Sequence, residues 1–152
     1  MRNYLILVVG IILFSCSKTR YENYYSFNNN GWNTDTIINF KYTIVDTVNS
    51  YDVILKIRHT VNYEFQNLFL FLEETKKDTI EINLANKIGK WTGSGISDIR
   101  EFEYVYDEKR VFDKKGHYNL KIEQAMRYGS LDKIENLEHI LAVGLIISEN
   151  ND

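Results

Sequence analysis

Apolar and polar residues alternate along much of the chain. Residues 36–46 show the pattern most clearly, with single polar residues between their apolar positions. Side chains two residues apart lie on the same face of a β-strand, so this period predicts a strand with one buried face. The apolar positions are Ile38, Phe40, Tyr42 and Ile44. We predict further strands at residues 51–59, 67–75, 78–86, 99–107, 117–125 and 142–149.

Two segments depart from this alternation. Residues 67–75 (NLFLFLEET) are apolar at successive positions, which is typical of a strand buried on both faces, and we predict a central strand there. Lys76 and Lys77 separate it from the next predicted strand, which indicates a hairpin. Residues 130–141 (SLDKIENLEHIL) have apolar residues near helical spacing, so they predict a short helix or a turn before the last strand.

These elements define the expected fold class. About seven or eight short strands without alternating helices favour an all-β, antiparallel sandwich with at most one short helix. The pattern leaves two topologies open, the jelly roll and the immunoglobulin-like fold. The 11 Tyr, 8 Phe and 2 Trp residues agree with strands, and turns must use Gly, Asn and Asp because the chain has no proline.

The amino terminus has the pattern of a secretion signal. Residues 4–14 are apolar, but a transmembrane helix needs roughly 20 apolar residues, so this run is too short to span a bilayer. Arg2 precedes it and the small residue Ser15 follows it, as in a signal peptide. Leu13-Phe14-Ser15-Cys16 resembles the lipobox of bacterial lipoproteins, in which the cysteine after the cleavage site receives a diacylglycerol.

We therefore predict three regions. They are a lipoprotein signal peptide at residues 1–15, an anchor and polar tether at 16–31 that ends in an edge segment, and a single sandwich domain at 32–152. Cys16 is the only cysteine, so lipidation gives it a role that no disulfide could supply. The alternative is an ordinary signal peptide followed by a free thiol.

Charge excludes some partners. The formal net charge is -3 and the chain has no basic run. Surfaces that bind nucleic acid or anionic lipid show clustered Lys and Arg. We therefore expect no nucleic-acid partner.

Residues with catalytic or metal-binding potential are scattered. Ser94 lies between two glycines but lacks the spacing of a nucleophile elbow. His59, His117 and His139 lie on three separate elements without the spacing of a zinc motif. We expect neither a metal nor a cofactor.

Glu101 and Glu103 are the best candidates for a carboxylate pair. They share one strand face about 7 Å apart, a distance comparable to the carboxylate separations in glycosidases. A row of exposed acids explains them equally well. We therefore assign no catalytic residues.

Residues 89–95 (GKWTGSG) contain the residue types of a phosphate-binding loop in a different order, since Lys90 precedes two of the three glycines. We interpret them as a structural loop in which Gly93 and Gly95 permit positive φ. Tryptophan also stacks well on sugars and on partner side chains, so Trp91 and Trp32 are candidates for an interaction surface.

A corner is predicted where residues 122–127 (IEQAMR) end a strand. Gln124 continues the alternation, and Arg127 lies in the turn before Gly129. The planar guanidinium of Arg127 suits bidentate capture of a carboxylate or of loop carbonyls. We predict a structural corner formed by Gln124, Arg127, Gly93 and Gly95, with Arg127 as an alternative contact for a ligand or partner.

The motifs form an ordered series over nearly the whole mature chain. After Cys16 come Gly31-Trp32, residues 52–58 (DVILKIR), Asn62-Tyr63 and residues 67–72 (NLFLFL). They are followed by residues 89–95 (GKWTGSG), Gly116-His117-Tyr118, residues 122–127 (IEQAMR) and Val143-Gly144-Leu145. The Lys-Trp-x-Gly-x-Gly and Glu-Gln-Ala-Met-Arg stretches are the most specific. In order and spacing, the series resembles the gliding motility lipoproteins of the GldH family.

The resemblance implies a lipid-anchored cell-envelope protein that works beside the motility and protein-secretion apparatus. It implies no reaction and no catalytic residue. We expect a noncatalytic accessory subunit, anchored through Cys16 with the outer membrane favoured, that faces the periplasm or the cell surface. Partners would be other gliding-motility or secretion proteins, contacted through Trp32, Trp91 or Arg127. The alternative is a surface glycan-binding module, which the aromatic-rich sandwich also fits.

Replacing Cys16 by alanine tests the predicted anchor. The native chain should incorporate labelled fatty acid in a bacterial host, whereas Cys16→Ala should not, because it lacks the acceptor thiol. Labelled protein is measured on a gel after metabolic labelling. Equal labelling of both chains would refute lipidation at Cys16.

Overall fold

The computed structural model describes residues 18–28, 31–130 and 132–150, and these residues form β-strands and no helix. The described ranges therefore contain no helix long and apolar enough to cross a membrane. The strands are β1 (Lys18–Ser26), β2 (Trp32–Asn33), β3 (Ile38–Ile44), β4 (Ser50–Thr60), β5 (Asn67–Glu73), β6 (Lys77–Asn83), β7 (Ile99–Arg110), β8 (Gly116–Gln124), β9 (Asn136–Leu137) and β10 (Ile140–Asn150).

Eight of these strands form two antiparallel sheets. Sheet I has the order β1-β10-β4-β7, and sheet II has the order β3-β8-β5-β6. The short strands β2 and β9 pair only with each other. The two four-stranded sheets pack into a sandwich, which confirms the predicted fold class.

The pairing of the eight long strands is nested. The first pairs with the last, β1 with β10, and the next inward pairs are β3 with β8, β4 with β7 and β5 with β6. The chain thus follows the course of one long hairpin that is rolled up, and two further pairings, β10 with β4 and β8 with β5, complete the sheets. This double-sheet arrangement is a jelly roll, which decides between the two predicted topologies.

Alternation along the strands builds the core. Strand β3 is alternately buried and exposed along its whole length, and β4 buries every second side chain. Burying one large aliphatic or aromatic side chain stabilises a fold by about 1.5–3 kcal/mol. The strands predicted from this alternation are confirmed as β3 to β8 and β10.

Two segments differ in part from their predictions. Residues 16–31 were expected as a tether followed by an edge segment, and the edge strand β1 already begins at Lys18 and pairs with β10 from Lys18↔Glu149 to Ser26↔Ala142. A mostly polar edge strand has little periodicity of its own, and it is held by the backbone of its neighbour. Of the short helix or turn expected in residues 130–141, the described residues form turns and β9, with Leu137 buried against the core. The predicted signal peptide and Cys16 lie outside the described residues.

Gly93 and Gly95 allow the backbone of their loop to lie close to the backbone of β7. Neither adopts a positive φ, which among the three glycines of residues 89–95 occurs only at Gly89. The loop that contains them runs against β7, where the backbone of Ser94 exchanges two hydrogen bonds with Glu101, of 3.0 and 2.7 Å. A Cβ atom on Gly93 would lie 2.7 Å from the carbonyl oxygen of Glu101, and one on Gly95 would overlap that of Ile99.

Gly95→Ala should therefore destabilise the protein. The added methyl group meets backbone rather than a flexible side chain, so we expect a loss of about 1–3 kcal/mol or more in the free energy of unfolding. Urea denaturation measures this loss. Ser94→Ala is the matched control, since its side chain is exposed and its change should stay within about 0.5 kcal/mol. Equal midpoints for the two variants would contradict the role assigned to Gly95.

Candidate functional site

A surface cleft of about 340 Å³ lies on the outer side of sheet II. It is lined by two phenylalanines of β5, one threonine of β6 and two residues that follow β8. We call these five residues the Phe71 face; they are Phe69, Phe71, Thr79, Ala125 and Arg127.

The period of β5 places the phenylalanines outside. Leu68, Leu70 and Leu72 are completely buried between the sheets, at 0 % exposure. Phe69 and Phe71 alternate with them and are only half-buried, on the opposite face of the strand. The Nζ atom of Lys77 lies 4.3 Å from the centre of the Phe71 ring, which is the geometry of a cation–π contact.

Buried hydrogen bonds hold the segment after β8 in place. The side-chain amide of Gln124 donates to the carbonyl of Ile134 at 2.6 Å, and its oxygen accepts from the backbone N–H of Met126 at 3.0 Å. The N–H of Ala125 donates to the carbonyl of Phe69 at 2.8 Å. Gln124 thus fixes the corner that carries Arg127 to the rim of the cleft.

Arg127 itself is not part of this corner. Its side chain is exposed, and its guanidinium has no hydrogen bond or ion pair with any residue that the structure describes. The prediction that Arg127 is a structural pin is therefore wrong, because Gln124 satisfies the corner alone. Gly93 and Gly95 are also separate from it, since they lie against β7. Arg127 remains available to a group outside the domain.

Charged and polar side chains of both signs surround the aromatic pair. Lys121 pairs with Glu73 across β8 and β5 at 3.6 Å, and Asn67 donates to Glu81 at 2.6 Å. Glu123 lies opposite Phe71 in the strand register. An aromatic centre with an arginine and a polar rim is the composition that protein–protein contact surfaces favour.

The sequence analysis did not select Phe69 and Phe71, although it contained their signal. The continuous apolar run in residues 67–72 was interpreted as a strand covered on both faces. Strand β5 is central in sheet II, as predicted, but no described strand packs over its outer face. An apolar run in a sandwich strand can therefore also indicate an external contact surface.

Trp91 is packed at the edge of the core. Its ring lies edge-on to His59, with ring centres 4.6 Å apart, and 6.4 Å from the ring of Tyr63. A β-bridge to Ala85 holds its backbone. The indole is half-buried, so only part of its surface can meet a partner.

Trp32 cannot belong to an interaction surface in this fold. Its side chain is 0 % exposed, and its indole N–H donates to the carbonyl of Thr36 at 3.1 Å. The ring stacks on Phe27 with centres 5.0 Å apart. The prediction that Trp32 contacts a partner is therefore wrong. Strand β2 is held by its pairing with β9, and the Trp32 side chain points into the core.

Glu101 and Glu103 belong to a ladder of ion pairs on the outer face of sheet I. Arg58 binds Glu101 at 2.6 Å, and Lys56 pairs with Glu103. The carboxylates are thus occupied by cations of the neighbouring strand, which agrees with the alternative of exposed acids.

The histidines do not converge. His59 is buried in β4, His117 of β8 hydrogen-bonds Thr43 of β3 at 2.9 Å, and His139 lies in the turn before β10. Among the described residues, no group of three His, Cys, Asp or Glu side chains could hold a metal ion.

The described residues thus define a jelly-roll sandwich with a surface cleft on the outer side of sheet II that is lined by two phenylalanines. The family model described as "GldH lipoprotein" matches residues 19–147. The chain is also 36 % identical over 156 aligned residues to the "Gliding motility lipoprotein GldH homolog" of Christiangramia forsetii, covering 97 % of this chain and 95 % of that protein. It is 34 % identical over 154 residues to the "Gliding motility lipoprotein GldH" of Flavobacterium johnsoniae, covering 97 % and 96 %. No solved structure matches the chain significantly.

The chain belongs to the GldH lipoprotein family. This confirms the resemblance seen in the ordered motifs. Membership in a family of lipoproteins supports a lipid-anchored location in the cell envelope, and the family is not a known class of enzyme.

The buried His59 makes stability depend on pH. Burial lowers the pKa of His59, and its Nε2 atom has no hydrogen-bond partner, although the contact of Nδ1 with the carbonyl of Thr60 at 2.8 Å opposes the shift. The unfolded chain therefore binds a proton more readily than the folded one, and stability should fall as the pH drops below about 6.5.

Comparing wild type with His59→Phe tests this pH dependence. Between pH 7 and pH 5, the unfolding free energy of the wild type should fall more steeply, by up to about 1.4 kcal/mol per pH unit, since one differential proton is involved. Chemical denaturation at several pH values measures the slopes. Parallel curves for wild type and His59→Phe would refute the prediction.

Proposed function

We propose that this chain is a noncatalytic accessory lipoprotein of bacterial gliding motility and the associated secretion machinery, which binds a partner protein through the Phe71 face. Its two relatives are named as gliding motility lipoproteins, and the matches cover almost the entire length of each protein. The observation that carries the proposal is the position of the half-buried Phe69 and Phe71, on the outer face of sheet II, beside an exposed arginine that has no partner in the described domain.

The composition of the Phe71 face favours a protein as the partner. Its rings offer apolar area, and Arg127 offers a planar guanidinium that can bind a carboxylate or backbone carbonyls. The rim contains Glu81 and Glu123 as well as Lys77 and Lys121, so it lacks the uniform positive charge of a surface for nucleic acid or anionic lipid. Interfaces concentrate their binding energy in a few such aromatic and arginine residues.

The glycan-binding alternative has less support. It depended on tryptophans with an open ring face, but Trp32 is buried and Trp91 is covered by His59 and Tyr63. Jelly rolls do include lectin domains, so calorimetry with polysaccharides remains its test. Micromolar binding that Trp91→Ala abolishes would favour the glycan module.

The location follows from the proposed anchor. Diacylglycerol on Cys16 together with a further acyl chain would hold the domain firmly, because each buried CH₂ contributes about 0.8 kcal/mol. We place the anchor in the outer membrane, with the domain in the periplasm or at the cell surface. Partner proteins in the same compartment could then reach the outer face of sheet II.

Crosslinking and pull-down from envelope fractions test the proposed partner contact. The double variant Phe71→Thr with Arg127→Ala should lose at least tenfold in the yield of copurified motility or secretion proteins, since truncating interface hot spots costs about 2 kcal/mol or more. Threonine suits a strand, so the fold should persist, and thermal unfolding verifies it.

Matched controls change similar residues elsewhere. Val105→Thr alters an exposed apolar residue on the outer face of sheet I, and Lys90→Ala removes an exposed cation from a loop. Both should copurify partners as the wild type does. Unchanged copurification in the double variant would exclude the Phe71 face. A deletion strain that glides and secretes normally would overturn the motility function itself.

A further inference from the structure

The jelly roll brings one set of loops to the same end as the start of β1. Lys18 opposes Glu149 in the register, Ile44 opposes Gly116, and Tyr51 opposes Arg110. The first described residue and the loops at residues 45–49, 74–76 and 111–115 therefore share one end of the sandwich. We call it the β1 end, and we call the opposite end, which contains residues 84–98, the Trp91 end.

Apolar side chains are exposed at the β1 end. Val45 is 62 % exposed, Val48 is 88 % exposed and Val111 is 60 % exposed. Two separate loops supply them, one after β3 and one after β7. In the second loop, the neighbouring Phe112 packs between the rings of Tyr42, Tyr51 and Tyr118, so the position of Val111 is fixed by the core.

Several acids near this end are hydrogen-bonded within the protein, whereas Asp113 is exposed in the loop at residues 111–115. Glu74 accepts hydrogen bonds from Tyr42 and Arg110, and Glu149 accepts them from Arg20 and Asn49. Asp46 accepts from the backbone N–H of Val48 at 2.9 Å and from Asn49 at 3.0 Å.

Three lysines face outward. Lys76, Lys114 and Lys115 are exposed, and within the described domain none of their side chains has an ion-pair partner. The end thus combines exposed valines and outward lysines with acids of which several are bound internally. This combination suits the boundary between lipid headgroups and acyl chains, where apolar side chains insert and lysines meet phosphates.

We infer that the β1 end is a lipid-contact surface, which rests on the bilayer that holds the anchor and sets the domain upright on it. The inference rests on the lipid at Cys16 proposed above. Lys18 follows Cys16 by two positions, which span at most about 7 Å, so this end cannot leave the headgroup region. The valines and lysines then meet lipid rather than water.

An upright domain places its other surfaces at defined heights. Strand β4 has 11 residues, which corresponds to about 35 Å, so the Trp91 end stands about that far above the membrane. The Phe71 face lies on the side of the sandwich. In the upright domain it therefore faces sideways, parallel to the membrane plane. It would therefore be open to partners anchored or embedded beside the protein.

Depth-dependent quenching tests this orientation. The lipidated full-length protein, carrying a fluorophore at Val48→Cys, is reconstituted into phosphatidylcholine vesicles with a nitroxide on the headgroup or near the top of the acyl chain. Ile88→Cys is the matched control, because Ile88 is 86 % exposed and lies at the Trp91 end. The Val48 label should be quenched several-fold more strongly than the Ile88 label, and a label at Val111→Cys should behave like the first.

The outcomes separate this inference from the proposed anchor. Protein that floats with the vesicles but shows equal quenching at positions 48 and 88, or stronger quenching at 88, overturns the orientation alone. Protein that fails to float overturns both the lipid at Cys16 and the orientation. Strong quenching at 48 and 111 from both nitroxide positions establishes the contact.

Discussion

The packing of Leu68, Leu70 and Leu72 between the two sheets decides what the surface of this protein offers. Successive side chains of a strand point to opposite faces, so burying these leucines forces Phe69 and Phe71 outward. The same constraint acts on every strand of the sandwich. On β4, burial of Leu55 and Ile57 places Lys56 and Arg58 outside, where they pair with the acids of β7. The two outer faces therefore differ: one is closed by its own ion pairs, and the other presents aromatic rings.

A few buried polar groups fix the segments that alternation leaves undetermined. Gln124 joins the end of β8 to residue Ile134, and this places the following segment along β5. At the other end of the sandwich, the carboxylate of Glu74 accepts hydrogen bonds from Tyr42 and Arg110. These bonds link the two sheets. Burial and the hydrogen bond to Glu74 raise the pKa of Tyr42, so its hydroxyl remains a donor. Breaking such a group leaves its partner unsatisfied, which costs about 1–3 kcal/mol.

The nested pairing also relates the fold to the membrane. Because the first long strand pairs with the last, the start of β1 and the end of β10 emerge at the same end of the domain. The proposed lipid at Cys16 then determines which loops face the bilayer and which face outward. The proposed partner surface on sheet II and the proposed lipid-contact surface at the β1 end are separate, so both contacts can exist at once.

The sequence alone determined the strands with a clear period of two, the all-β class, the family and the signal-like amino terminus, because each depends on local order along the chain. It indicated only an edge segment before residue 31 and not the extent of β1, whose polar residues acquire strand structure by pairing with β10. Nor could it show that Trp32 is buried by its neighbours, that Gly95 faces the carbonyl of Ile99, or that Arg127 stands beside Phe71. These relations join residues distant in sequence, and only the rolled pairing of the strands brings them together.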